Sequence, residues 1–237
     1  MARLYLPAAL SLSTLAIGIV VLPWVHAASA PGLVAAYDFD EGTGTVLTDR
    51  SGSGNNGVVS GATWVAGKNG GGLSFNGTSN LVTVADADVL DLAGTLTLEA
   101  WVKTASTSGN RRLVLDKEGS GFLSYALYAN DAVNRPGETL HLGTTDVTVD
   151  GTSQLALNVW THVAATYSGA SMTLFINGVP VSSVSQTGTI APSTGALRLG
   201  GSSQFGRFFS GTLDDVRIYN RALSQSEIQT DMATSLP

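Results

Sequence analysis

Beyond residue 30 the chain is a succession of short apolar, β-branched runs broken by glycine every few residues. Glycine makes up 28 of the 237 residues, and no long helical periodicity follows the first thirty positions. Strands of four to eight residues separated by turn formers are the only regular structure this spacing allows. The expected strands are Leu33–Phe39, Val58–Val65, Gly72–Phe75, Leu81–Val84, Leu96–Lys103, Arg112–Lys117, Phe122–Ala129, Thr139–Gly143, Val159–Tyr167, Met172–Ile176, Val179–Ser185, Ala196–Leu199 and Gly211–Tyr219. About thirteen strands in one stretch of this length imply two stacked antiparallel sheets or a jelly roll.

Individual segments sharpen that expectation. In Leu96–Lys103 the residues Leu96, Leu98, Ala100 and Val102 share one face, and Thr97, Glu99, Trp101 and Lys103 the other, the two-residue period of a half-buried strand. Asn177-Gly178 sits between two apolar runs and supplies the two positive φ angles of a type I′ hairpin. Pro180, lacking an N–H, places the following strand at an edge or faces outward. The run Gly211–Tyr219 puts Leu213, Asp215, Arg217 and Tyr219 on one face and Asp214, Val216 and Ile218 on the other, so one acid needs a buried partner. Ser224 followed by Glu227 is a capping box that starts a short C-terminal helix.

Residues 1–30 read as an export signal. Arg3 is followed by a nearly unbroken apolar stretch from Leu4 to Pro23, and Ala28-Ser29-Ala30 offers a small-residue cleavage site. The alternative is an uncleaved anchor, since the stretch is long enough to span a bilayer. Residues 31–237 are expected to form one domain. The formal net charge is −6 with no long charge run, which argues against nucleic acid as a partner. There is no cysteine, so disulfides, thiolate zinc sites and cysteine nucleophiles are excluded.

Five segments in order resemble the laminin G-like, concanavalin A-like family: Leu33–Gly42, Asp49–Gly57, Gly72–Val82, Leu96–Lys103, and Trp160–Tyr167 with Leu174–Gly178, closed by Gly211–Leu223. The resemblance implies an all-β, two-sheet antiparallel jelly-roll sandwich with a short C-terminal helix. It also implies a rim calcium in many members, and binding of carbohydrate or an extracellular protein more often than catalysis. Fold alone does not fix function.

The sequence offers little catalytic equipment. A glucanase of this superfamily carries Glu-x-Asp-x-x-Glu on one strand, two carboxylates flanking a glycosidic bond. Here only Asp86-Ala-Asp-Val-Leu-Asp91 copies the spacing, in an expected loop. A jelly-roll alginate lyase needs His and Tyr in one groove, whereas His162 and Tyr167 fall on opposite faces of their strand. A hydrolase or lyase whose acid and base escape recognition remains the alternative, as does a purely structural cell-surface domain. The candidate binding residues are Glu99 and Trp101 on a polar strand face, and Phe205, Arg207 and Phe208 in an aromatic loop that is either a binding rim or a flap over the core. The candidate calcium ligands are Asp49, Asn55, Asn76, Asp214 and Asp215, whose oxygens suit a hard cation if first and last strands are neighbours. The other reading is that the acid and amides close turns through their own side chains.

Overall fold

The computed structural model describes residues 1, 30–107 and 111–236; apart from its end residues, the expected export signal lies outside them. In chain order the strands are β1 (Leu33–Tyr37), β2 (Val46–Leu47), β3 (Gly57–Ser60), β4 (Thr63–Ala66), β5 (Gly71–Asn76) and β6 (Leu81–Val84). Next come β7 (Leu96–Thr104), β8 (Arg112–Glu118), β9 (Leu123–Asn130), β10 (Gly137–Leu142), β11 (Thr145–Asp150) and β12 (Trp160–Tyr167). The last are β13 (Ser171–Ile176), β14 (Val179–Ser185), β15 (Leu197–Leu199), β16 (Gly201–Ser202), β17 (Arg207–Phe208) and β18 (Ser210–Tyr219), followed by helix α1 (Gln225–Ala233). Among the described residues no helix is long and apolar enough to cross a membrane.

Two antiparallel sheets stack on each other. The first runs β14-β13-β12-β7-β18-β5-β4, with β1 also paired to β18; the second runs β11-β10-β9-β8-β15-β6-β3-β2. Alternate residues from each sheet fill the space between: Leu98, Ala100 and Val102 from β7 and Val163, Ala165 and Tyr167 from β12 meet Tyr125, Leu127 and Ala129 from β9. Each fully buried large apolar side chain contributes about 1.5–3 kcal/mol, which lets a chain without disulfides hold itself by packing. Buried tyrosines end on polar partners: Tyr37 on the Asn55 carbonyl (2.7 Å), Tyr125 on the Leu90 carbonyl (3.0 Å) and Tyr167 on the Gly188 carbonyl (2.7 Å), as a buried phenol requires.

Three expectations change. The segment Val58–Val65 is two strands, not one: the chain turns at Gly61, φ +74°, and β3 joins the second sheet while β4 joins the first. Thr145–Asp150, not expected as a strand, pairs along all of β10. The third change is the face assignment in β18. Asp215 has φ +45°, and the register against β7 shifts between Asp214 and Arg217. This bulge inserts an extra residue, so Leu213, Val216 and Ile218 all point into the core, whereas Asp214 pairs across from Trp101 and Arg217 across from Glu99 on the outer face. The bulge lies where β18 changes partners, from β5 along Ser210–Leu213 to β1 along Val216–Tyr219.

The hairpin at Asn177-Gly178 has φ +50° and +71°, and β14 with Pro180 is the edge of its sheet. The capping box forms as read: Ser224 Oγ accepts from Glu227 N–H, and Ser224 N–H donates to Glu227 Oε2. Helix α1 lies on the outer face of the first sheet. Its one buried residue, Ile228, packs with Ala164, Phe175, Tyr219 and Leu223. Gln225 and Gln229 both donate to the Gly178 carbonyl at 3.0 Å, so the helix clasps the edge hairpin.

Candidate functional site

The outer face of the first sheet carries Glu99 and Trp101, as the alternation in β7 requires, but it is not open. Glu99 is fully buried and Trp101 is 8% exposed. Over Glu99 the reason is α1 and the segment after it, whereas the Trp101 ring lies under the Lys68 ammonium at 4.8 Å. Tyr219 donates to Asp231 on the helix (2.6 Å), and Arg217 donates to the Thr234 carbonyl (2.5 Å). His162 stands in register with Trp101, edge-on to its ring at 5.3 Å, and 3.7 Å from Glu99. Burial first, then the Asp231 carboxyl, holds Glu99 well above the ordinary carboxylate range against the pull of Arg217. Burial first and then Arg217 push His162 down to about 4. Burial thus shifts both towards their uncharged forms, the acid's pKa up and the imidazole's down. The expectation that Glu99 and Trp101 form an open ligand surface is corrected by this cover.

The aromatic loop behaves differently. Residues 201–208 form the hairpin β16–β17, which crosses the outer face of the second sheet. Phe205 packs on Leu113, Leu123, Ala126 and Tyr128. Arg207 stacks over the Phe205 ring at 4.9 Å and donates to the Tyr128 hydroxyl at 3.1 Å. Phe208 is half-buried and its carbonyl accepts from Arg112; Phe209 goes into the main core. Of the three loop residues singled out in the sequence, Phe205 and Arg207 line a cleft, and Phe208 supports the hairpin behind it.

The cleft is completed by Arg111, Phe122, Leu123, Tyr128, Thr139 and Asp146. Phe122 stacks on His141 (4.4 Å between ring centres, 26° between planes). His141 Nδ1 is 2.6 Å from the largely exposed Asp146 carboxylate. Arg111 lies over the Tyr128 ring at 5.6 Å. Rings beside planar and charged polar groups are the composition of a site that grips a ring-shaped polar ligand. Beneath the hairpin Asp116 is fully buried, no hydrogen bond reaches either carboxyl oxygen, and desolvation holds its pKa well above the ordinary value. Sequence reasoning missed Phe122, Tyr128, Arg111 and the His141–Asp146 pair. β9 is buried on both sides and reads as a continuous apolar run, so nothing in it marks Tyr128 as facing outward.

The five expected calcium ligands do not meet at one rim. Asp49 accepts from the backbone of Ala36, Ser51 and Asn55 and from the Ser51 hydroxyl, all at 2.9–3.0 Å, and Asn55 donates to the Val34 carbonyl. Asn76 Oδ1 accepts from three successive N–H groups, those of Thr78, Ser79 and Asn80. Asp214 Oδ2 accepts from Lys68 and Asn69 N–H (2.8 Å each), and Asp215 holds Asn69 Nδ2 and Leu236 N–H. β1 and β18 are neighbours, as expected, but these oxygens are engaged by N–H donors in three separate places. As a donor set for calcium they do not fit. Among the described residues no group of three or more His, Asp or Glu side chains is placed to share a metal ion.

The run Asp86–Asp91 has a structural task. Lys117 is fully buried, with its ammonium 2.5 Å from Asp86 and 3.4 Å from Asp91 and bonded to the carbonyls of Ser193 (2.8 Å) and Gly195 (2.7 Å).

No curated protein sequence matches the chain. Three solved structures that superpose on it, each under 25% identical, speak to the fold. Domain 4 of AbnA, a GH43 extracellular arabinanase from Geobacillus stearothermophilus solved with arabinotriose, matches at TM-score 0.68 and 20% identity over 85% of this chain and 98% of that one. The binding domain of Paraclostridial Mosquitocidal Protein 1 matches at TM-score 0.68 and 18% identity, over 85% of this chain and 52% of the other. Trypanosoma rangeli sialidase matches at 0.65 and 21%, over 86% and 33%. The chain thus spans about half of the mosquitocidal chain and a third of the sialidase. A laminin G family model matches residues 76–229, from the turn after β5 to the middle of α1, and by that match the chain belongs to the concanavalin A-like lectin/glucanases superfamily.

Proposed function

We propose that this chain is an exported, non-catalytic module that binds carbohydrate in the cleft between the β16–β17 hairpin and the outer face of the second sheet. Residues 1–30 serve as its export signal and residues 31–237 as one binding domain. The observation that carries the reading is the pairing of aromatic with planar polar groups there, half-buried apart from the fully buried Tyr128: Phe205 under Arg207, Tyr128 under Arg111, and Phe122 against His141. Sugar rings bind through apolar faces stacked on aromatics while their hydroxyls take hydrogen bonds from planar polar side chains. A fold neighbour solved with arabinotriose adds support by analogy of fold alone.

The close acid pairs also favour binding over hydrolysis. Glycosidases hold two carboxyls about 5–9.5 Å apart across an open cleft. Glu99 and Asp231 meet under α1 instead, and Asp150 is in contact with Asp131.

The test is titration calorimetry of the full-length chain against neutral and acidic oligosaccharides, repeated with Phe205→Ala. Binding that weakens at least about tenfold in the variant supports the reading. Release of new reducing ends or unsaturated sugars from a polysaccharide panel would replace it with a hydrolase or lyase.

A further inference from the structure

Two of the residues lining the cleft are arginines, Arg111 and Arg207. The chain as a whole is acidic, at −6. Arg198 on this face has an acid partner: it bonds Glu118 at 2.8 Å, and Glu118 also takes the Ser202 hydroxyl. Arg111 and Arg207 differ. Among the described residues neither lies within 4.0 Å of a carboxylate. Each is laid over a ring, and the two rings adjoin, since Phe205 packs on Tyr128. Both guanidiniums act on the same Tyr128 hydroxyl, whose pKa they pull down against the effect of burial.

Acids lie nearby but not within ion-pair distance. Asp116, near Arg207, is fully buried, and burial raises its pKa against the pull of Arg198 and Arg207. Asp150 attracts Arg111 but is engaged with Asp131 and Arg135. Asp146 is turned to His141 on the rim. Two like charges drawn to one hydroxyl at a partly dry site repel each other. A guanidinium over a ring still has N–H donors at its edge; beyond the Arg207 bond to Tyr128, such donors suit a carboxylate.

We infer that Arg111 and Arg207 form a clamp for a carboxylate carried by a sugar, so the cleft selects acidic glycans such as uronic-acid oligosaccharides over neutral ones. The inference rests on the glycan-binding reading above and names its ligand class. The carboxylate lies between the two guanidiniums, and the sugar ring lies against Phe205 and Phe122. The ligand replaces an internal counter-ion.

The experiment needs first only the unmodified full-length chain. Trigalacturonate, its methyl ester and arabinotriose are titrated in parallel, at low and at moderate salt. The acid and its ester share every ring and hydroxyl and differ in charge. The acid should bind about tenfold or more tightly than the ester, as charge-assisted bonds require, with the gap narrowing as salt rises. Arg111→Gln and Arg207→Gln should each shrink that gap while leaving the melting temperature within a few degrees. Equal binding of acid and ester overturns the clamp and leaves the glycan reading standing. So does an acid preference that survives both substitutions. If none of the three sugars binds, the glycan reading fails and takes the clamp with it.

Discussion

Glu138 provides a quantitative test of how the sandwich treats a lone acid. It lies on β10 opposite Leu127 and Val149, is fully buried, and neither carboxyl oxygen has a hydrogen-bond partner. Desolvation is the sole cause that lifts its pKa from 4.5 to about 8. The sign follows from proton counting. Between those two values the folded chain keeps a proton on Glu138 that the unfolded chain has released, so stability is complete below the lower pKa and is lost as pH rises towards the upper one. The slope is about 1.4 kcal/mol per pH unit. From about pH 5 to about pH 7.5 the loss from this one residue is about 3 kcal/mol, allowing for partial titration at both ends. Glu138→Gln keeps the shape and removes the titration. Thermal or urea unfolding of both proteins across that range should show the variant gaining on the parent by this amount, about 6–12 °C in melting temperature for a domain of this size. A fixed offset between the two curves is compatible with the argument, because an unpaired amide has its own cost. Parallel curves with no pH dependence in their difference would refute it.

Other perturbations test other parts of the fold. Lys117→Met leaves two carboxylates and two carbonyls without their shared donor, and should cost about 3–5 kcal/mol in urea unfolding; a loss under about 1 kcal/mol would mean that water substitutes for the ammonium. Ile228→Ala removes the one buried anchor of α1 and should cost about 2–5 kcal/mol, with faster amide exchange in residues 225–233 than elsewhere; uniform exchange would show that the helix is held by its polar contacts instead. Because Asp49, Asn76, Asp214 and Asp215 are occupied by N–H donors, replacing EDTA with calcium should leave the melting temperature unchanged, and a rise would reveal a donor set other than these side chains.

The layers of the sandwich were legible because one-sided strands alternate. Leu96–Lys103 announces its two faces, Asn177-Gly178 its hairpin, and Ser224 with Glu227 the start of the helix. What could not be read were the places where tertiary contacts break the period. Asp215 takes a left-handed backbone because its carboxylate is tied to Asn69 and Leu236, partners distant in sequence or beyond the strand's end. Once that bulge is inserted, every face assignment after it reverses. The same limit hid the state of Glu99 and Trp101. Their strand says that they face away from the core, and only the path of α1 over Glu99 and the place of Lys68 over Trp101 decide that they are covered. For Phe205 and Arg207 the clustering of aromatics with an arginine between glycines was a usable signal, but their neighbours on β9 gave none.

The place of β18 in the first sheet bears on how this protein can be made. It is the last strand of the chain, yet it sits in the interior of its sheet, with β7 on one side and β5 and then β1 on the other. A growing polypeptide that has not reached Ser210 leaves those edges facing water and each other without a bridge. Closure therefore waits until β18 has been made and depends on contacts with strands distant in sequence, which are slow to form. Until β18 is in place, the β1, β5 and β7 edges that it pairs are open, and they are where pairing with another copy would begin.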